Sequence, residues 1–475
     1  EPDILEPAYS GEAVASKGKP IMLRRLHISM RIAFLVALYS LGAFAEDRYL
    51  VKGTGDIHDI AVRHGLTVVK SLAGSASGLY VLSSKGAIPQ TVLRSLSMDS
   101  AVQSAEPEKA VRLPGINASA RIHPASAPAA GLPFSSTLIP YYSSYAASAY
   151  VNQPATDIVN MDKAHNLSTG EAAVVATIDT GADFRHSVLN KSLTPGWDFV
   201  HNVPGGQELA DLNQETTPIL DQETTPILDQ ETTPILDGGT AIILQQETTP
   251  ILDQETTPIL DGTKFPDFGH GTMVAGLIHL VAPNARIMPL RAFGADGSAT
   301  ISQIVQAISF AVDSHVDVIN MSFSLKQDSP ALAAALLRAT NAGIVCVASA
   351  GNDGQAIQVW PAAYSNVIGV AGTNNFLSLS TWSNFGSPVT LAAPDEGLIT
   401  TYPMEHYAQV WGTSFSAPQV SGAAALLVAL NNNSNQPLVE SELISSAAPL
   451  AAALGLGAGE LDLFKACKAA KKLDN

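Results

Sequence analysis

Five short apolar runs punctuate the C-terminal part of the chain: VVATID (174–179), RIMPLRAF (286–293), VDVINMS (316–322), GIVCVAS (343–349) and NVIGVAG (366–372). A strand with one wet face alternates apolar and polar residues, whereas a near-continuous apolar run has both faces covered. Separated by segments of helical spacing, the five runs predict an α/β fold with a doubly wound, mostly parallel sheet flanked by helices. Two of the helical segments are apolar on nearly every side. One opens at His270 in GHGTMVAGLI and the other near Ser414 in GTSFSAPQVSGAAALL.

A different rhythm precedes them. RYLVKG, LTVVKSL, GLYVLSS and AVQSAEPEKAVRL read as strands, while DIHDIAVRHG and PQTVLRSLSMD have helical spacing. The order is βαββαβ, a small split βαβ module over residues 46–114. Residues 115–150 are rich in Pro, Ala and Ser and read as a linker to a larger domain at 151–470.

Further upstream, residues 22–45 carry Arg24, Arg25 and Arg31, an apolar run from Ile32, and Ala43-Phe44-Ala45 before Glu46. Basic, apolar and small-x-small segments in that order predict a secretory signal peptide and export. The uncharged stretch Ile32 to Ala45 is 14 residues, short of the roughly 20 that span a bilayer. No stable membrane span is expected after signal cleavage. Residues 1–21 form an upstream extension of unknown status.

The chain also repeats itself. QETTPILD occurs three times in succession from Gln214 and twice more from Gln246, and the intervening GGTAIILQ keeps the same length, so six octads fill residues 214–261. Eight residues are too few for a solenoid unit, and the proline in every intact copy (Pro218, Pro226, Pro234, Pro250, Pro258) removes a backbone donor. With no aromatic residue and two acids per intact copy, the octads are expected to be a solvated excursion between core elements.

They also account for most of the charge. Five intact octads, each with one Glu and one Asp, contribute ten of the net −17, leaving an ordinary acidic protein without the basic stripe of a nucleic-acid binder. Nucleic acid is excluded as a partner on that basis. Only Cys346 and Cys467 are present, and Cys346 sits inside an apolar run, so no disulfide framework is implied.

Candidate chemistry collects at the ends of the apolar runs. Asp179 closes VVATID, and the carboxyl ends of such strands are where open α/β sheets gather catalytic groups. His270 opens a helix between Gly269 and Gly271, which would leave its ring accessible and let backbone approach closely. Ser414 stands where loop becomes helix. Taken singly these are a turn residue, a core histidine and an N-cap. Together, Asp, His and Ser in that order match the order of one known catalytic triad.

VVATIDTGADFRHSVL, GHGTMVAGLI, VINMSFS, VASAGNDG and GTSFSAPQVSGAAALL closely resemble, in order, the signature blocks of the subtilisin-like serine proteases, over about residues 158–470. The resemblance implies a serine endopeptidase acting on protein or peptide substrates, with Asp179, His270 and Ser414 as the triad and Asn352 in the oxyanion hole. It implies substrate contacts from Ser322, Phe323, Ser324, Ala350 and Gly351. The βαββαβ module is similar to the family's prodomain, an intramolecular inhibitor of a zymogen. No cofactor is required. Structural calcium is left open, because Val188 and Leu189 occupy the stretch where members often carry an acidic ligand. Met273 replaces a common histidine of the second block, and Ser324 stands where many members have glycine, which bears on pocket width. Two other readings, an inert fold kept as a binding module and a surface protein acting through its octads, are disfavoured. The triad and Asn352 are all intact, and the near-identical octads look like recent duplication.

Overall fold

The computed structural model describes residues 47–72, 78–113, 137–211, 242–243, 267–431 and 434–473. The expected signal peptide, residues 115–136 of the expected linker and all of the octads except Ile242–Ile243 lie outside them. The rest of the expected linker is part of the larger domain instead: Leu138–Tyr141 and Ser144–Ala147 pair as an antiparallel hairpin, and Tyr141, Ala146 and Tyr150 are buried in the core, as the apolar and aromatic residues there require.

The N-terminal module has the expected order: β1 (Asp47–Gly53), α1 (Ile57–Arg63), β2 (Thr67–Leu72), β3 (Leu79–Ser84), α2 (Pro89–Ser97) and β4 (Val102–Pro107). The strands form an antiparallel sheet in the order β2-β3-β1-β4. Alternation along each strand divides the sheet's side chains between two cores. Tyr49, Val51 and Leu82 pack with Ile60 and Leu96 of α1 and α2, whereas Leu50, Leu72, Leu79 and Val81 join the core of the larger domain. A short strand, β5 (Ala110–Arg112), follows.

The larger domain is built on eight strands, β6 (Val174–Asp179), β7 (Gly196–Asp198), β8 (Val203–Gly205), β10 (Arg286–Arg291), β12 (Val318–Met321), β13 (Val345–Ser349), β14 (Ile368–Thr373) and β15 (Leu391–Pro394). Their order is β8-β7-β10-β6-β12-β13-β14-β15, all parallel except the β8 edge. Five of them are the five apolar runs. The helices α3 (His270–Val281) and α6 (Thr413–Leu430) cover one face, meeting Val175, Val318 and Val347. The helices α4 (Ile301–Asp313) and α5 (Pro330–Asn341) cover the other, meeting Ala176, Ile178 and Ile319. The helix α6 has the length and apolarity of a membrane span, but it is mostly buried within this core.

The chain leaves β6 to build β7, β8 and β10 on one side and then crosses to β12 on the other. Asp179 therefore ends the strand at which the sheet changes winding direction, where the adjacent crossovers diverge and open a crevice.

A three-stranded sheet, β9 (Ile242–Ile243), β17 (His406–Val410) and β16 (Leu398–Tyr402), stands apart. Ile242 and Ile243 of the degenerate octad run parallel to Ala408 and Gln409. In the repeat register, Ile242 stands where every intact octad has proline, so this copy retains the N–H that a ladder requires.

Candidate active site

Three loops at the carboxyl edge of the sheet bring Asp179, His270 and Ser414 into one buried region, each no more than 2 % exposed. The Nδ1 of His270 lies 2.7 Å from Asp179 Oδ1, which also accepts the Thr180 N–H at 2.8 Å. A carboxylate held by a backbone donor fixes the ring that it holds in turn, and the bond at Nδ1 assigns Nε2 as the free acceptor of the neutral imidazole.

The glycines around His270 serve approach rather than exposure. A Cβ on Gly271 would lie 2.1 Å from the Gly181 carbonyl oxygen, and one on Gly269 would lie 2.3 Å from the Tyr402 ring. The ring itself is buried, contrary to the accessibility expected from flanking glycines. Gly269, at φ 91°, has no side chain to cap α3, so the cap comes from elsewhere in the chain. Glu208 accepts the N–H groups of Gly269 and Thr272, both at 2.8 Å, and Thr180 Oγ1 accepts the Gly271 N–H at 2.8 Å. Thr180 in turn donates its hydroxyl to Glu208.

Burial pulls the His270 pKa down, but the charge of Asp179 and the bond to it, with Asp267 and Glu208 beyond, outweigh burial and the net direction is up. Burial raises Glu208, and it lifts Asp267 to about 6 against the pull of His270. Sequence reasoning missed both acids. Glu208 belongs to no motif and is 62 positions from His270 in sequence, so only the fold brings it to the helix start.

Ser414 lies in the first turn of α6, and the ring of the next residue, Phe415, stands 5.5 Å from the imidazole. Pro418 sits one turn on and has no N–H for the Ser414 carbonyl. Ser322 Oγ supplies the missing donor at 2.7 Å, and Ser414 Oγ donates back to the Ser322 carbonyl at 3.2 Å. Asn320 Nδ2 holds Ser322 Oγ from the other side at 3.0 Å. A proline that looks out of place inside a helix thus ties the serine turn to the end of β12.

Asn352 is coupled to the same turn. Its Oδ1 accepts the Thr413 N–H at 2.9 Å and the Thr413 hydroxyl at 2.8 Å, so it caps α6 and leaves Nδ2 on the opposite prong of the amide. Gly351, at φ 91°, allows the turn that places it. A Cβ on Gly351 would lie 2.6 Å from Asn384 Nδ2, 3.3 Å from Val359 Cγ2 and 3.5 Å from Ser324 Oγ, so these three side chains converge beside Ala350 and Asn352. The Phe323 side chain is fully buried and packs on Phe293 with ring centroids 5.3 Å apart, so a substrate contact from this residue would come from its backbone. Val188 and Leu189 are also core residues.

A buried Asp–His pair, a serine at a helix start and an amide bonded to that same turn thus meet at the carboxyl edge of a doubly wound sheet. Residues 170–462 match the model of the Subtilase family, Peptidase S8, and the chain belongs to that family. It is 32 % identical over 273 residues to a thermophilic serine proteinase of Bacillus sp. (strain AK1), covering 57 % of this chain and 56 % of that one. It is 29 % identical over 298 residues to thermitase of Thermoactinomyces vulgaris, covering 61 % and 84 %. The chain thus spans about half the length of the first of these relatives. Fervidolysin from Fervidobacterium pennivorans shares the fold with a TM-score of 0.62 at 19 % identity, over 90 % of this chain and 61 % of that one.

Proposed function

We propose that the chain is an exported serine endopeptidase made as a zymogen, hydrolysing peptide bonds in proteins or peptides through Asp179, His270 and Ser414. The observation that carries this reading is the buried 2.7 Å pairing of His270 Nδ1 with Asp179, with the Ser414 turn packed against the same ring. An alcohol needs a base to become a nucleophile at neutral pH. Rotation of the Ser414 hydroxyl from the Ser322 carbonyl toward Nε2 would present its proton to the imidazole. As Oγ bonds to the scissile carbonyl carbon, that proton passes to Nε2, and Asp179 stabilises the imidazolium. The oxyanion would face Asn352 Nδ2 and the Ser414 N–H, two donors already tied together through Thr413. His270 then returns the proton to the leaving amine, and a water activated at the same nitrogen releases the acyl group. The chemistry uses the chain's own side chains and needs no cofactor.

The N-terminal module is proposed as the inhibitor. Its β5 runs antiparallel to β11 (Ser298–Thr300), and Leu113 N–H donates to the Gly297 carbonyl at 2.9 Å. Glu106 of β4 caps α5, accepting the Ala331 N–H at 2.8 Å and the Ser329 hydroxyl at 3.0 Å. The chain leaves the module beside the crevice, which supports cutting between residues 113 and 150.

A fluorophosphonate probe should label the wild type at Ser414, and mass spectrometry should find the module shed. Ser414→Ala should neither label nor process. Labelling elsewhere, or processing of the alanine variant in the absence of another protease, would overturn the assignment.

A further inference from the structure

Between the N-terminal sheet and the helix pair α4–α5 lies a cleft of about 240 Å³ that the proposed hydrolysis does not use. On its sheet side Lys52 of β1 sits in register with Leu79 of β3 and with Ser104 of β4, so the three form a row across the strands. Ser309 and Val305, one turn apart on α4, face them. Arg338, in the last turn of α5, closes the row. Alternation explains the placement: Lys52 is two residues from Leu50 and so shares the face that packs on the larger domain.

A lysine on a packed face is costly unless its charge is answered. Among the described residues, no carboxylate lies within ion-pair distance of Lys52 or Arg338. Arg338 Nη2 is buried and makes no hydrogen bond. Of the acids nearby, Glu106 caps α5 through one oxygen and Glu108 faces Lys70, and each keeps a second buried oxygen without a hydrogen bond. The cleft therefore combines two part-exposed cations without an ion pair among the described residues, one of them with a buried unpaired Nη2, together with two hydroxyls and walls of Leu79, Val305 and alanine methyls. That lining suits an anion with a short apolar body, because the guanidinium fork matches a carboxylate and the walls match hydrocarbon.

We propose that this cleft binds a small carboxylate with a short apolar body, clamped between Lys52 and Arg338. Lys52, Leu79 and Ser104 come from the module and the remaining wall from the larger domain, so the ligand binds only while the module is seated. By mass action it favours the seated form by the factor 1 + [L]/Kd. Binding itself stands apart from the catalytic reading; its consequence, retention of the inhibitor, rests on the zymogen reading.

The test uses the full chain carrying Ser414→Ala, so that processing does not remove the module. Hexanoate and benzoate should raise the thermal midpoint saturably and slow amide exchange across β1, β3 and β4. Hexanamide, the uncharged match, should do neither. Inorganic phosphate should act more weakly, since it gains nothing from the apolar walls. Changing both Lys52→Met and Arg338→Met should abolish the hexanoate response while leaving the midpoint in plain buffer unchanged or higher, because two cations without an ion pair are removed. Should that double variant fail to fold, Lys52→Gln alone should weaken the response at least several fold. No saturable response to either carboxylate, an equal response to hexanamide or phosphate, or an undiminished response in the charge-removed chains would overturn the proposal. The readout is binding, so a failure here leaves peptide hydrolysis untouched, and a catalytically dead wild type leaves this titration interpretable.

Discussion

At the scale of single residues, the candidate site shows which chemistry a sequence can display and which it hides. Asp179, His270, Ser414 and Asn352 were legible because each lies in a short block whose glycines and small residues are demanded by close backbone packing. Asp267 and Glu208 were not, because an acid before a helix looks like any other until the fold closes round it. Their charges help to raise the pKa of His270, which in the proposed mechanism must be neutral to accept the serine proton. The sign follows directly. Activity should be lost as pH falls through the His270 pKa, and removing a nearby negative charge should lower that pKa. Asp267→Asn should thus move the acid limb of the kcat/KM profile to lower pH. The effect should be largest in assays above about pH 6, where Asp267 itself is ionised. An unmoved limb would show that Asp267 is electrostatically remote from His270. The packing beside Gly351 yields a second prediction. With Asn384, Val359 and Ser324 all converging on that point, small residues should be favoured on the acyl side of the cut bond. Val359→Gly should improve kcat/KM for a large aromatic residue there relative to alanine, by roughly tenfold if one or two kcal/mol of fit is gained. Unchanged selectivity in a panel of peptides would place the pocket elsewhere.

At the scale of elements, the five named strands were readable because a buried parallel strand has little choice but continuous apolarity. Short strands such as β7 and β15 escaped notice, since three or four residues carry no period. The five intact octads differ from the degenerate copy at the residue that matters for pairing: Ile242 has an N–H where the others have proline. Ile242→Pro should abolish the β9–β17 ladder, and amide exchange in His406–Val410 should quicken several fold. Equal exchange in both chains would mean that the pairing contributes nothing to the order of β17. Behind the site, Glu460 is buried with Oε2 on the Thr373 hydroxyl at 2.8 Å and its other oxygen unpaired. Burial raises its pKa to about 7, above the ordinary 4.5. A raised carboxyl binds its proton more tightly in the folded chain. Its stabilising contribution is therefore complete below about 4.5 and lost as pH rises through about 7. Glu460→Gln should raise the thermal midpoint relative to wild type at pH 8 and bring little change at pH 4.5. The opposite order would show that Glu460 is ionised in the folded state.

At the scale of the molecule, the octads pose the question of how much a fold tolerates between two residues of one candidate site. Asp179 and His270 are 91 positions apart, and 48 of these are repeats. Both ends of the insertion approach the site. Glu208, which holds the start of α3, precedes it, and Asp211 anchors the approach by pairing with buried Arg291 at 2.5 Å and accepting the Ala295 N–H at 2.8 Å. On the far side, Asp267 N–H donates to the Ala295 carbonyl at 3.0 Å. Two anchors on the one residue, Ala295, bring the ends of the insertion to a common base that does not depend on its length. Closure entropy grows only with the logarithm of loop length, so shortening the connection changes stability by about a kcal/mol. Deleting Gln214 to Asp261 removes the two-residue ladder at β17 and nothing else among the described contacts. Peptide hydrolysis should stay within a few fold of wild type, and the thermal midpoint should shift by no more than about 3 °C, the size expected for a kcal/mol in a domain of this length. If instead the deletion unfolds the chain, or abolishes cleavage of a short peptide while Asp211 and Asp267 are retained, the octads are packed on the larger domain as part of its structure.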